Sequence, residues 1–284
     1  MLLRIAEADA YGIAVEFIKP GHKNYKNLLK FEHYYNHPNR KNSKGKYSDD
    51  CQMSCAVAEV LISGRPYTQE KFAQAFYEGF HRDKRKGYSR GFQTILEEST
   101  SWQDMVSKLV PKSEKNGAAM RSVSLGVLMD PNEVCEIAET QAKVTHNTIT
   151  GVISSQIIGL VSHYAIYSDL PLEKYSLLDW LKQRVSVPEY FYQEHVGRVP
   201  CDGMITAHAV IDIVCKSTNL LVVLKNAVEL GGDVDSVASI SAGICSSRYN
   251  DELPKFFERE LEPGSKFGVD FLKALGKELF EKVY

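Results

Sequence analysis

A single all-α domain is predicted, and three observations predict it. Apolar residues recur at spacings of three and four along most of the chain, runs of period-two alternation are scarce, and no Ser/Gly/Pro-rich linker or internal repeat divides the sequence. About ten to twelve helical segments follow from that spacing.

Taken in order, the first helical start is Tyr47-Ser48-Asp49-Asp50-Cys51-Gln52-Met53, continued by Ala56, Val57, Val60 and Leu61. Ser48 or Asp49 would be its N-cap, with Gln52 as capping-box partner of Asp49. Phe72, Ala75, Phe76 and Phe80 form the next apolar stripe. In Asp130-Pro131-Asn132-Glu133, Asp130 reads as an N-cap, Pro131 as the first helical residue and Glu133 as the reciprocal partner. Val144 to Ser168 carries no formal charge and is long enough to span a bilayer. Its His146, Asn147, Gln156, His163, four Ser and three Thr favour a core helix instead. Gly231-Gly232 ends a helix built on Leu220, Leu221, Leu224, Ala227 and Val228. The helix after Asp235 carries small residues (Ala238, Ser239, Ser241, Ala242, Gly243) that permit a neighbour to approach closely.

The 284 residues include 34 Lys/Arg and 36 Asp/Glu, for a formal charge of −2, with 44% hydrophobic and 25% charged residues. Those proportions exclude a disordered chain, a disulfide scaffold and a wholly basic nucleic-acid coat. Six cysteines show no C-x-x-C pair, and Glu7 and Asp9 interrupt any signal-like N-terminus. A reducing, cytoplasmic setting without membrane association is expected. The cations are uneven, however. Lys19 to Lys46 holds eight Lys/Arg against one acid, Glu32, and Arg82, Lys84, Arg85, Lys86 and Arg90 form a second cluster. Each is either a solvated loop or an attractor for an anionic substrate.

Two helix starts carry more carboxylates than capping needs: Ser48-Asp49-Asp50 and Asp233-Val234-Asp235-Ser236. Such all-oxygen sets suit hard divalent ions, and two ions would neutralise four carboxylates. Capping remains the other reading of either motif alone. Lys115-Asn116-Gly117-Ala118-Ala119-Met120-Arg121 reads as a small-residue helix start with backbone N–H groups free for an anion, or as a plain helix start.

In order, these segments resemble the ADP-ribosylglycohydrolase family. The matching motifs are Ala8-Asp9-Ala10-Tyr11-Gly12-Ile13-Ala14-Val15-Glu16, Ser48 to Met53, Asn116 to Arg121, Thr145-His146 and Gly231 to Ser236. The resemblance implies a compact, single-domain orthogonal helical bundle over 1–284, with the basic 19–46 stretch as a loop insert. It implies two Mg²⁺ ions, with Mn²⁺ as an alternative, held by Ser48, Asp49, Asp50, Asp233, Asp235 and Ser236. Asn116, Gly117, Ala118, Ala119, Met120, Arg121 and His146 would bind substrate, and Glu16 and Asp49 would be catalytic. His146 could equally be a core histidine, and Glu16 a packed carboxylate. The chain departs from the family pattern at Ala8, Cys51 and Val234.

The implied activity is hydrolysis of ADP-ribose from modified protein or another macromolecule, through an arginine or serine linkage, by a monomeric enzyme. The alternatives are a catalytically silent ADP-ribose binder or structural protein on the same fold, and a nucleic-acid binder using the 19–46 stretch with Tyr25, Phe31, Tyr34 and Tyr35.

Overall fold

Helix α1 (Leu2–Gly12) runs into a 3₁₀ turn at Ile13–Val15, and α2 (Lys23–Leu28) follows within the basic stretch. Next come α3 (Asp49–Ile62), α4 (Gln69–Arg82), α5 (Arg90–Glu98), α6 (Trp102–Lys108) and the single turn α7 (Gly117–Met120). A second 3₁₀ turn, Val123–Val127, precedes α8 (Pro131–Lys143), α9 (Ile149–Tyr167) and α10 (Lys174–Lys182). The chain closes with α11 (Gly203–Lys216), α12 (Leu220–Leu230), α13 (Val234–Cys245), α14 (Phe256–Arg259) and α15 (Val269–Val283). This computed structural model describes residues 1–185 and 192–283. Among the described residues there is no strand, only isolated bridges such as Lys112 with His146, Lys115 with Asp202 and Val199 with Gly232. The predicted all-α class is the one observed. The additional helices are mostly single turns (α2, α7, α14), too short to show a repeat.

Caps explain many of the helix starts. Ser48, Thr68, Ser101, Asp130, Thr148, Asp202 and Asn219 each accept a first-turn backbone N–H. Asp130 and Pro131 stand as the sequence predicts, but Glu133 does not close a capping box. Its carboxylate takes a two-pronged ion pair from Arg65, at 2.6 and 2.8 Å. Gln52 likewise leaves its helix start and donates to the carbonyls of Gly79 and Asp83.

Helix α9 is buried on most of its surface, from Ile153 through Ala165, by α7, α8, α11 and the second 3₁₀ turn. It has the length and hydropathy of a membrane span, and here it is a core helix. The small face of α13 admits α1 at very short range. Gly12 lies so near that a Cβ there would stand 2.5 Å from the Asp235 Cα, and Gly243 packs on Ile5 and Val123. This contact brings the N-terminal motif against the last one.

The two basic clusters part ways. Arg85 is buried and pairs with Asp83 and Glu262 over the Tyr47 ring, so it braces the fold. Arg82 pairs with Glu59 from within α4, and Arg90 opens α5. The 19–46 stretch is ordered and anchored. Tyr34 is buried and donates to the Phe257 carbonyl, and Asn24 donates to the Ala14 carbonyl.

Candidate active site

The start of α3 is fixed from α1. Asp9 Oδ2 accepts the backbone N–H groups of Ser48 (2.9 Å) and Cys51 (3.0 Å). The Ser48 hydroxyl caps the helix by accepting from the Asp50 N–H at 3.3 Å. Asp49 and Asp50 therefore occupy the first turn, both buried, without being needed as caps. Gly87, at φ +125°, passes so close that a Cβ would overlap Asp49 Oδ1.

The start of α13 is set by two glycines at positive φ. Gly231 (+69°) ends α12, and Gly232 (+90°) lies against Val199 with no space for a Cβ. Val199 N–H donates to the Gly231 carbonyl at 3.0 Å, and Asp233 N–H donates to Val199 at 2.9 Å. Asp233, Asp235 and Ser236 are buried there. Asp233 sits at the N-cap position yet makes no side-chain cap bond. Its Oδ2 instead accepts from Asn116 Nδ2 at 3.1 Å.

Glu16 follows the first 3₁₀ turn. Phe17, at φ +52°, donates its N–H to the Gly232 carbonyl at 2.8 Å, which holds Glu16 beside Asp233. Carboxylate oxygens of Asp9, Asp50 and Asp235 all lie within 4.8 Å of one another, as do those of Glu16, Asp233 and Asp235. The two triads share Asp235. Burial first, and neighbouring carboxylates second, push Asp49, Asp50 and Asp235 well above the usual carboxylate range. Burial moves Asp9 up to about 7 against the pull of its backbone donors. Glu16 is also raised by burial, opposed by Arg40, whose Nη1 stands 2.5 Å from its Oε2.

The donor set fits divalent cations. Every ligand atom is oxygen, and Asp9 Oδ1 and Asp235 Oδ1 are buried with no hydrogen-bond partner. Glu16, Asp49, Asp50, Asp233 and Asp235 line a cleft of ≈ 400 Å³, with Asp9 buried out of it, and its apolar wall includes Tyr88, Phe92, Ile95, Leu109 and Val110. Of the 116–121 segment, Asn116, Gly117, Met120 and Arg121 line this cleft, whereas Ala118 and Ala119 are fully buried and do not. Arg121 is buried under the cleft. It donates to Gln141 and to Thr145 Oγ1 (3.0 Å) and stacks on Phe76, and burial lowers it to about 9. His146 lines the cleft against Gly117, and its Nδ1 lies 2.6 Å from Thr145 Oγ1. Burial lowers it to about 3, so the ring is neutral at physiological pH.

Gly87, Tyr88 and Cys201 are site residues that sequence reasoning did not single out, and Asp9 stood in the first family motif without an assigned role. For Asp9 a signal existed: it is a charge on the face of α1 that also presents Leu2, Ile5 and Ala6 to the core.

Fold and site together define a class: an all-helical hydrolase with acidic residues gathered at two helix starts beside a substrate cleft. The ADP-ribosylglycohydrolase family model matches residues 1–284. The chain belongs to that family and is a glycohydrolase. It is similar to ADP-ribosylhydrolase ARH3 of Xenopus tropicalis, at 22% identity over 260 residues, covering 72% of this chain and 74% of that protein. Against ADP-ribosylhydrolase ARH3 of Homo sapiens the identity is 20% over 272 residues, covering 76% and 74%. A solved structure titled "ADP-ribosylglycohydrolase-related protein complex" shares the fold, with a TM-score of 0.74 at 18% identity over 100% of this chain and 96% of that one.

Proposed function

We propose that this glycohydrolase removes ADP-ribose from a modified macromolecule by cleaving the bond from the distal ribose C1″ to an arginine nitrogen or a serine oxygen. The observation that carries this reading is the pair of carboxylate triads sharing Asp235, all of whose members except the buried Asp9 line one cleft. Asp49, Asp50, Asp233 and Asp235, with Ser48 and Ser236, would hold two Mg²⁺ or Mn²⁺ ions, and Asp9 Oδ1 adds a further buried oxygen. Such ions supply Lewis-acid polarisation and charge neutralisation.

The protein's own groups orient the substrate. Asn116 fixes the Asp233 carboxylate, and the Gly117 backbone and neutral His146 ring border the space for substrate. Asp49 would accept a proton from the attacking water, and Glu16 would return one to the leaving atom. Water adds across the broken bond, its hydroxyl to C1″ and its proton to the released side chain. We place this chemistry in a reducing, cytoplasmic setting, a reading supported by six free cysteines, and in a monomeric enzyme.

Incubation with ADP-ribosyl-arginine and ADP-ribosyl-serine peptides, in Mg²⁺ or in EDTA, tests the reading by release of free ADP-ribose. Release only with Mg²⁺ supports it. Release undiminished in EDTA refutes the metal assignment, and tight binding without release from either peptide identifies a silent binder.

A further inference from the structure

Behind Glu16, between α2 and the 35–42 loop, lies a second pocket of ≈ 660 Å³. Its walls include His22, Lys23, Asn27, Tyr35, Arg40 and Lys41, and none of its lining residues is acidic. Lys23 and Lys41 are exposed and have no ion-pair partner among the described residues. Along the same stretch Lys19, Lys26, Lys30 and Lys46 are also exposed and unpaired, whereas Lys44 is held by Glu260 at 3.1 Å.

The frame around these cations is fixed. Asn24 Nδ2 donates to the Asn36 carbonyl at 3.0 Å, His37 N–H donates to Ser43 Oγ at 2.8 Å, and the His37 ring reaches the Glu16 carbonyl at 3.0 Å. Of the aromatics in the stretch, Tyr34 is buried, Phe31 stacks on Tyr11 and Tyr25 donates to the Ile18 carbonyl. Tyr35 is half-buried and lines the pocket.

We propose that this pocket, with Lys23 and Lys41 on its wall and the other exposed lysines of the same stretch, binds the phosphodiester backbone of a single-stranded nucleic acid, and that such a strand carries the ADP-ribose the enzyme removes. The second half rests on the hydrolase reading above and extends it to a strand in which C1″ is joined to a base nitrogen or a phosphate oxygen, water giving its hydroxyl to C1″ and its proton to that atom. Arg40 lines the pocket and pairs with Glu16 in the cleft, so the pocket adjoins the carboxylates at which the scissile bond must lie. The carrier of the ADP-ribose leaves from that point. Six unpaired cations spread over one stretch match a phosphate at every residue of the ligand better than the one or two phosphates of a modified peptide.

The experiment uses the full chain and a fluorescein-labelled single-stranded DNA of ~12 nucleotides, within the usual site size for such strands. Binding is expected to weaken with salt at a log–log slope of roughly −2 to −3, corresponding to about three to four phosphates at ~0.7 each. The double variant Lys23→Glu/Lys41→Glu should lose at least tenfold in affinity and flatten that slope. Its hydrolysis of free ADP-ribosyl-arginine should be unchanged, while its kcat/KM on an ADP-ribosylated oligonucleotide falls. The proposal is overturned by salt-insensitive or absent DNA binding, by equal affinity in the variant, or by a phosphopeptide competing as well as the DNA at equal phosphate concentration. DNA binding without cleavage of the modified strand overturns its substrate half. Failure to cleave any ADP-ribosylated substrate would instead refute the hydrolase reading.

Discussion

Replacing Asp235 with Asn should make the metal-free protein more stable and abolish its stabilisation by Mg²⁺. Asp235 belongs to both carboxylate triads, with partner oxygens within 4.8 Å. Two unit charges at that distance repel by about 3.5 kcal/mol at an effective dielectric constant near 20. The opposing loss is the favourable position of a carboxylate in the first turn of α13, worth ~0.3–1 kcal/mol. Partial protonation relieves some of the repulsion, so a net gain of about 2 kcal/mol is expected at pH 8, roughly 4 °C in melting temperature. In wild type, Mg²⁺ at about 100 times its Kd should add ~2.7 kcal/mol for each ion bound. Scanning calorimetry of both proteins in EDTA and in Mg²⁺ measures all four states. A variant that melts below wild type in EDTA, or that retains the full Mg²⁺ increment, would refute the account of Asp235 as a repelled ligand.

His146, held at about 3 by burial, is neutral in the folded protein while the unfolded chain protonates near 6.5. The unfolded state therefore binds more protons between those values, and stability is lost as pH falls from about 6.5 towards 3, by about 2 kcal/mol at pH 5. Urea denaturation at pH 7.5 and pH 5 should show a shallower loss in His146→Gln, and an equal loss would exclude this histidine as the cause. Arg40→Gln removes the charged partner of Glu16, and turnover should drop about tenfold, the scale of one charge-assisted hydrogen bond. Steady-state kinetics should place that drop in kcat more than in KM, with partial recovery in Arg40→Lys. In Gly87→Ala, the new Cβ meets Asp49 Oδ1, so calorimetric Mg²⁺ titration should show at least tenfold weaker binding while the helical circular dichroism is retained.

What could be read from the sequence was local. Periodicity and caps located α3, α4, α8, α9 and the start of α13, and Gly231-Gly232 stopped α12 where expected, because these signals depend on residues within a turn or two of one another; α1, α11 and α15 were not individually placed. The ordered motifs named Asp49, Asp50, Asp233, Asp235 and Glu16, and the structure lines one cleft with them. Long-range pairings carry no such signal. Glu133 meets Arg65, Arg85 meets Glu262, and Arg40 meets Glu16 only once helices have packed. Gln52 was read as a cap because its spacing allows one, but packing of α3 on α4 offers it the Gly79 and Asp83 carbonyls instead. Asp9 was passed over for a related reason: its partners are backbone N–H groups about forty residues away, at Ser48 and Cys51.

Capping and metal binding compete as explanations for the acids at the two helix starts, and the hydrogen bonds argue against the first. At α3 the cap is the Ser48 hydroxyl, which leaves Asp49 and Asp50 surplus to capping. At α13 the residue in the cap position, Asp233, turns away and accepts from Asn116. Neither helix therefore needs its carboxylates for its own start. Asp9, Glu16, Asp49, Asp50, Asp233 and Asp235 nevertheless gather at one site, with Arg40 as the cation paired to it. An arrangement that raises its own members' proton affinities destabilises the empty fold. A bound positive charge would recover that stability, and the buried, unpartnered oxygens of Asp9 and Asp235 are acceptors it would satisfy.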